Sequence, residues 1–339
     1  MLRFALMAAT LAAALVLAAP ASASKRDPHW AADEIQAVTS AGLLGGSARA
    51  FRPNKALAWG ELAEVVATLR GRSIAVRDPG KAVTVSQLNA WLVRASRLAS
   101  STRHVRKALA AAGVQAPRRV GNETIARMLR LRINHDHPDD QRELGPRDDV
   151  TRAEAAYSVA RLLELDRWER RRIKQLVREF SLPELDPLQT EVLSRAMRFV
   201  GMPYVWGGNS EHEQHLFGQV VPGGFDCSGF TLRVYRSEPF ANAPGLGDVL
   251  IGRSTYELSA EIGRARRIAL ESVRAGDMIF FGDRGPKSKP DEVNHMGISL
   301  GNGWMVHSSR YGTTITPISD YYLKRFAWAR RPAAESGVA

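Results

Sequence analysis

The 339-residue sequence contains a single cysteine, Cys227. An intramolecular disulfide is therefore excluded, whereas exported proteins that need covalent staples carry cysteines in even numbers. The chain must fold through its core alone. Its one thiol is then a buried small hydrophobe, an intermolecular linker or a nucleophile, and only the surrounding sequence can decide among these roles.

Long apolar runs are also scarce, and the longest one is at the amino terminus. Arg3 precedes an apolar stretch over residues 4–19, which is followed by the small residues Ala21-Ser22-Ala23. This order predicts a secretory signal peptide over residues 1–23. A retained membrane anchor is the alternative, because the run is close to the short limit for a span. No later segment is apolar enough to cross a bilayer, so we expect a secreted, cell-wall-associated protein with no integral membrane span after cleavage.

Acidic residues are outnumbered by basic ones, 35 against 47, which gives a formal net charge of +12. Such an excess favours a polyanionic partner. Nucleic acid is the usual partner for this charge, but export argues against it, so we predict no nucleic-acid binding and expect an anionic wall polymer or a membrane surface. The alternative is a compositional excess of Arg, with the basic run at 167–179 serving only as a solvated helix face.

Residues 28–166 contain an internal repeat of helical units. The first unit is predicted to begin with a helix that Gly45-Gly46 ends. A partial copy follows, and each of its matched residues lies the same number of positions after its counterpart in the first unit. Residues 83–95 and 104–117 are predicted to provide the helices between the two copies. Units of this kind bury their apolar faces only against their neighbours. The matched pairs are Pro53 and Pro146, Leu57 and Val150, and Glu61 and Glu154.

This part of the chain resembles the S-layer homology domain. The resemblance depends on Trp30-Ala31, the "AGLLGG" turn, Phe51-x-Pro53 and, above all, the stretch from Val150 to Glu154. It implies a three-part helical assembly that binds an anionic secondary polymer of the bacterial wall. The second unit departs from the family pattern, since Trp59-Gly60-Glu61 replaces a Thr-Arg-x-Glu start. The alternative is that these helices form only a spacer or a lid.

The composition changes near residue 185, where glycines, aromatics and short alternating stretches become frequent. We predict a basic linker helix over 167–186, a second domain over 187–330 and a flexible tail over 331–339. The expected fold class is α+β, with an all-α part preceding helices packed on an antiparallel sheet. A polar run at His135-Asp136-His137 has no fixed ligand spacing, so we interpret it as a loop and predict no metal or cofactor.

The segment "CSGFTLRVYR" predicts a helix that begins at Cys227, after a Gly-Gly loop. Asp226 is a suitable N-cap residue. The unpaired N–H groups and the positive dipole at a helix N-terminus favour a thiolate over a thiol. A structural thiol gains nothing from this position, whereas a nucleophile does.

A β-hairpin is predicted around Gly301-Asn302-Gly303, with one histidine on each strand. With a two-residue loop, His295 and His307 would lie on opposite faces. With a three-residue loop, Leu300 pairs with Trp304, His307 lies opposite Gly297, and the histidines share one face. A catalytic pair requires the three-residue register. His295 is then the base that holds the thiolate as an ion pair, and His307 orients its ring.

The stretch "GMPYVWGG" at 201–208 places aromatic side chains before a Gly-Gly pair. Tyr204 is a candidate for the site because a binding pocket needs polar groups between apolar walls. The alternative is that these aromatics belong to the core.

Residues 187–330 resemble the NlpC-type papain-like cysteine peptidases of bacterial cell walls. The motifs that carry the resemblance are "PYVWGG", "FDCSGF", "AGDMIFFG", "NHMGISLGNGWMVHSS" and "FAWARR". It implies a reduced papain-like α+β fold and cleavage of peptidoglycan stem peptides next to D-glutamate or diaminopimelate. By position, Cys227 is the nucleophile, His295 the base and His307 the orienting residue. Tyr204, Asp226 and Ser228 match substrate-binding positions, and the Cys227 N–H with the Tyr204 hydroxyl would stabilise the oxyanion.

The leading hypothesis is a secreted endopeptidase that cleaves the D-glutamyl-diaminopimelate bond through a Cys-His-His triad. The alternatives are a non-catalytic wall-binding protein, and an amidase or acyltransferase that uses the same residues. One departure from the family pattern is the long connection at 209–222, which we expect to form a flap at the cleft. Its histidines, His212 and His215, are interpreted as exposed loop residues.

Overall fold

The structure, a computed structural model, describes residues 29–132 and 143–338. The predicted signal peptide and the His135-Asp136-His137 run lie outside these residues. Helices occupy the amino-terminal part, and the carboxy-terminal part mixes helices with an antiparallel sheet, as the predicted α+β class requires. The helices of the first part are α1 (Ala32–Ser40), α2 (Trp59–Arg70), α3 (Val85–Ala95), α4 (Ala99–Ala111), α5 (Val120–Met128), α6 (Arg152–Glu164) and the basic helix α7 (Arg167–Arg178).

A closed ring of three backbone hydrogen bonds joins the repeated units. The Leu57 N–H donates to the Val150 carbonyl, Val150 to Val83, and Val83 to Leu57, at 2.8, 2.8 and 3.0 Å. All three side chains are fully buried. Leu57, Val83 and Val150 each lie just before a helix. Val83 therefore marks a third copy of the repeat that pairs Leu57 with Val150. The predicted three-part assembly is confirmed in the described residues.

Arg152 connects the units through its guanidinium group. It forms an ion pair with Glu61, donates to the carbonyls of Leu44 and Phe51, and lies over the Phe51 ring. The Arg of the Val150–Glu154 motif is therefore engaged inside the fold. The predicted end of the first helix is wrong by a few residues, because α1 ends at Ser40 and the left-handed Gly42 (φ 72°) turns the chain before Gly45.

The carboxy-terminal part packs helices against one face of a five-stranded antiparallel sheet in the order β8-β7-β6-β5-β9. Helix α9 contacts the central strands β6 and β7. The elements of this part are α8 (Pro187–Arg198), β1 (Asn209–Ser210), β2 (Gln214–Leu216), β3 (Gln219–Val221), β4 (Gly224–Phe225), α9 (Cys227–Arg236), α10 (Thr255–Ala260), β5 (Met278–Gly282), β6 (Val293–Gly301), β7 (Trp304–Ser309), β8 (Gly312–Pro317), α11 (Tyr321–Arg325), β9 (Phe326–Arg330) and α12 (Pro332–Glu335).

The β6–β7 hairpin has the register that a catalytic pair requires. Ile298 pairs with Val306 and Ser299 with Met305, which is the three-residue register. The tip differs from the prediction, since Trp304 pairs with Gly301 rather than with Leu300. A β-bulge absorbs this one-residue shift before the turn, so the body of the hairpin, which carries the histidines, keeps the predicted alternation.

The helical part packs directly on the sheet through α5 and β8. Arg127 of α5 donates to the Gly201 carbonyl at 3.1 Å, and the Gly201 N–H donates to Thr313 of β8 at 2.9 Å. The buried Glu123 also lies against Gly201, leaving no room there for a side chain. The loop that carries the "PYVWGG" motif thus begins at the junction between the two parts.

The carboxy-terminal residues contain a short helix instead of the predicted flexible tail. Glu335 of α12 pairs with the buried Arg330, and Val338 packs on the core. Among the described residues, none of the helices has both the length and the apolar character that a membrane span requires.

Candidate active site

Cys227 is the first residue of α9, as predicted, and the helix is capped by Asp226. The Asp226 carboxylate accepts from the Gly229 N–H at 2.5 Å. Gly229 has no space for a side chain, because a Cβ there would meet the Gly208 carbonyl at 1.9 Å. The "FDCSGF" motif therefore packs the first turn of the helix against the "PYVWGG" loop, and this contact fixes where the thiol emerges.

The thiol is almost covered, with 8% of Cys227 exposed. Its Sγ lies 3.3 Å from the hydroxyl Oγ1 of Thr255, the first residue of α10. Burial raises the pKa of the Cys227 thiol above its ordinary value, while the Thr255 hydroxyl and the backbone of Met296 and Ser228 act in the opposite direction. Burial thus favours the neutral thiol, whereas the helix N-terminus favours the thiolate.

The two histidines lie on the same face of the sheet and are directly joined. His295 Nε2 is 2.7 Å from His307 Nδ1, and His307 Nε2 is 3.0 Å from the Thr316 hydroxyl. Gly297 makes this possible, since a side chain there would meet His307 at 2.9 Å. The rings of His295 and His307 are also held by Tyr322, whose ring centroid lies 5.9 and 5.2 Å away.

This chain of contacts links the Thr316 hydroxyl to the protonation of His295. A neutral imidazole has one N–H and one lone pair. When His307 Nε2–H donates to Thr316, His307 Nδ1 accepts from His295 Nε2–H, and His295 Nδ1 keeps its lone pair. If the Thr316 hydroxyl instead donates to His307 Nε2, then His307 Nδ1–H donates to His295 Nε2, and the proton of His295 lies on Nδ1. Thr316 as an acceptor therefore selects the tautomer in which His295 is a base.

Both histidines are held in the neutral form. Burial, and secondarily the charge of Arg325, lowers the pKa of His295 from 6.5 to about 4. Burial and the neighbouring His295 lower the pKa of His307 well below its ordinary value. A neutral imidazole that shares a cavity with a protonated thiol is suited to take its proton during attack, which differs from the preformed ion pair that the sequence predicts.

Cys227 and His295 line one open cavity of about 650 Å³. Tyr204 lies on its wall half-buried, in a backbone bridge with Phe225, and burial raises the pKa of its hydroxyl. The structure thus brings Tyr204 and the thiol to the same cavity, together with Asp226 and Ser228. The catalytic and binding roles of these residues remain predictions.

Arg253 is a cleft residue that the sequence did not reveal. Its guanidinium donates to both Asp226 oxygens at 3.2 and 3.1 Å, to Ser228 Oγ at 2.8 Å and to the Gly207 carbonyl at 2.7 Å. Asp226 is therefore satisfied by Arg253 and the helix cap. The only sequence signal was the pattern Arg253-Ser254-x-x-Glu257, which is a capping box placing α10 beside α9.

No group of three or more His, Cys, Asp or Glu side chains in 29–132 and 143–338 is arranged to hold a metal ion. His212 and His215 are both exposed; His212 lies in a bend, as predicted, whereas His215 lies on the short strand β2 rather than in a loop. The chemistry that the site supports is therefore that of a thiol, an imidazole pair and polar donors.

Comparison with known families agrees with these observations. Residues 201–331 match the model of the NlpC/P60 family, and residues 23–57 match that of the S-layer homology domain. The first match contains every predicted site residue. The S-layer homology match ends at residue 57, within the first repeated unit.

Several of the curated relatives are named as peptidases. The γ-D-glutamyl-L-lysine dipeptidyl-peptidase of Bacillus subtilis is 28% identical over 148 residues, 43% of this chain and 41% of that protein. The murein DD-endopeptidase MepH of Escherichia coli is 30% identical over 142 residues, 41% and 44% of the two chains. This chain thus spans less than half the length of either relative.

A solved NlpC/P60 family protein from Bacillus cereus is 28% identical, with a TM-score of 0.33. The match covers 45% of this chain and 42% of that protein. The family assignment depends on the matched sequence, which contains the helix of Cys227, the hairpin of the histidines and the loop of Tyr204. The carboxy-terminal part of this chain matches the NlpC/P60 family, and it follows a segment that matches the S-layer homology domain.

Proposed function

We propose that this protein is a secreted cysteine endopeptidase that hydrolyses the stem peptides of peptidoglycan at the D-glutamyl-diaminopimelate bond. The observation that carries the proposal is the arrangement of the cleft. A thiol at a helix N-terminus shares a cavity with His295, and His295 is joined to His307 and Thr316 in a chain that leaves one nitrogen with a lone pair. Peptidase activity is also what the names of the relatives state.

The residues account for a balanced acyl transfer. Cys227 Sγ attacks the peptide carbonyl while its proton passes to His295, and the carbonyl carbon becomes tetrahedral. Helix N–H groups and the Tyr204 hydroxyl would stabilise the oxyanion. His295 then protonates the leaving amine, the C–N bond breaks and an acyl-thioenzyme forms. Water hydrolyses this thioester and restores the thiol.

The amino-terminal part supports a second element of the proposal, attachment to an anionic secondary wall polymer. The S-layer homology match and the net charge of +12 favour it. Since Arg152 is engaged within the fold, other basic groups on this surface must make the contact. Binding of the full chain carrying Cys227→Ala to sacculi, before and after chemical extraction of the secondary polymer, tests this element. Equal binding to both preparations would contradict it.

The peptidase activity is tested by digesting purified diaminopimelate-type peptidoglycan and a γ-D-glutamyl-diaminopimelate peptide. The full mature chain should release fragments whose masses identify the bond, and Cys227→Ala should release none while unfolding at the same temperature. If neither substrate yields thiol-dependent products, the proposal fails. Release of intact stem peptides from the sugar would favour the amidase alternative.

A further inference from the structure

The segment 209–222 is a rigid hairpin rather than a loose flap. Strands β2 and β3 pair antiparallel, and Phe217 and Gly218 form the turn with φ of 51° and 77°, a conformation that non-glycine residues rarely adopt. The buried Gln214 side chain accepts from the Asn209 N–H at 3.0 Å and donates to the Gly224 carbonyl at 2.9 Å. These bonds fix the base of the hairpin.

A second anchor ties this segment to the helix of the nucleophile. Glu211 receives two hydrogen bonds from Arg233 of α9, at 2.9 and 2.7 Å. A bidentate pair of this kind adds orientation as well as energy. The position of the hairpin tip is therefore defined relative to Cys227.

The tip places an aromatic side chain at the entrance of the cleft. Phe217 is 79% exposed, and its ring lies against Gly207, where a side chain would come within 3.0 Å of it. Trp206 is 74% exposed and Tyr256 is 55% exposed. All three line the cavity that contains Cys227 and His295. We refer to Trp206, Phe217 and Tyr256 as the aromatic mouth.

Clustered exposed aromatics on a soluble protein mark a binding surface. The C–H groups on one face of a pyranose ring carry weak positive charge, and they pack against the negative face of an aromatic ring. Polar groups next to the mouth, from Asn294, Ser309 and Arg310, complement the hydroxyl and acetamido groups of an amino sugar. An amino-sugar ring therefore suits this surface.

The wall of the cleft beside Gly207 disfavours a free amine. Arg253 places its guanidinium on Asp226 and Ser228, which are the residues that the family resemblance assigns to substrate binding. An incoming ammonium group would meet a like charge there. A stem peptide whose amine is acylated by the lactyl group of the sugar avoids this repulsion.

A sugar that carries the stem peptide lies two residues before the cleaved bond. An extended residue spans about 3.3–3.6 Å, so these two residues span about 7 Å, and the aromatic mouth lines the same cavity as Cys227. We propose that the aromatic mouth binds the amino sugar that carries the stem peptide, so that the enzyme prefers glycan-linked peptides to free ones. This inference rests on the proposed function and specifies its substrate class.

The test compares two substrates, a disaccharide-linked tripeptide and the same tripeptide with a free amine. The wild type should cleave the first with the higher kcat/KM. Phe217→Ala should lower kcat/KM for the glycan-linked peptide about tenfold, mainly through KM, and change the free peptide less than about twofold. Phe217→Tyr keeps the ring face and should retain the preference. Val220→Ala is the matched control, an exposed apolar residue on the same hairpin outside the cavity lining.

Equal losses on the two substrates, or no loss on either, would overturn the inference. Wild type that cleaves neither substrate would overturn the proposed function instead. The mouth is then tested separately by calorimetric binding of the disaccharide-tripeptide to Cys227→Ala. In that measurement Phe217→Ala should weaken binding about tenfold, and unchanged binding would contradict a sugar subsite.

Discussion

The helical part and the cleft both bury ionisable groups, but their surroundings differ. Arg132 lies fully buried between Glu143 and Glu154, and Arg127 pairs with the same Glu143 at 2.6 Å. Burial alone would lower the pKa of Arg132, yet the two carboxylates outweigh it and raise that pKa. Arg132 therefore stays charged, and its ion pair with Glu154 joins α6 to the segment that follows α5.

The cleft buries Cys227 against the Thr255 hydroxyl, and it buries His295 and His307 against each other and against the Thr316 hydroxyl. Burial there raises the pKa of the thiol and lowers that of both imidazoles, so all three groups are held neutral. A charge cluster with matched partners resists change, whereas neutral groups joined by hydrogen bonds can exchange a proton at small cost. The two regions should therefore respond differently to substitution.

After loss of the nucleophile itself, the largest effect on activity is expected from His295→Ala. Loss of a general acid-base residue lowers kcat/KM by about 10²- to 10⁴-fold, while stability should be retained because no buried charge is created. Peptide hydrolysis and thermal unfolding measure the two properties. His215→Ala is the control, an exposed histidine on the β2–β3 hairpin. Activity within about tenfold of wild type in His295→Ala would exclude it as the base.

The largest effect on stability is expected from Arg132→Met, which leaves two buried carboxylates without their shared partner. Breaking a buried ion pair costs about 3–5 kcal/mol of unfolding free energy, measured by denaturant titration. Arg172→Met removes an exposed pair with Asp320 and should cost less than about 1 kcal/mol. If the two variants are equally stable, the buried cluster does not hold the helical part together.

The different success of prediction in the two regions has a physical reason. The repeat pairing Leu57 with Val150 indicated how the units meet, and the requirement that His295 and His307 share one face for catalysis indicated the hairpin register. Each feature is a local sequence pattern that fits only one arrangement of the chain. Arg253, Thr255 and Thr316 were not predicted, because each reaches the site through tertiary packing that no sequence spacing records. The bulge before Trp304 was also hidden, since it depends on how the strands twist.

Thr316→Val should reduce activity by a smaller amount, about tenfold. The valine removes the acceptor of His307 Nε2–H, so the proton moves to His307 Nδ1 and donates to His295 Nε2. The proton of His295 then lies on Nδ1, the nitrogen that otherwise acts as the base. Thr316→Ser restores the hydroxyl and should recover activity. The measurement is kcat/KM together with the ring nitrogen chemical shifts of His295. A valine variant with unchanged tautomer and rate would show that Thr316 only fills space.

The smallest expected effect is on the pH dependence of kcat/KM. It distinguishes a neutral Cys227 thiol and neutral His295 from a preformed thiolate–imidazolium ion pair. His295 accepts a proton only when neutral, and its neutral form predominates above about pH 4. The acidic limb of kcat/KM should therefore lie well below the 6.5 of an ordinary imidazole. The raised pKa of the thiol keeps it protonated at neutral pH, so thiolate absorbance near 240 nm, taken as wild type minus Cys227→Ala, should be absent at pH 7. A thiolate band at that pH would mean that the helix terminus and His295 outweigh burial, and the cleft would then hold a matched charge pair as the helical part does.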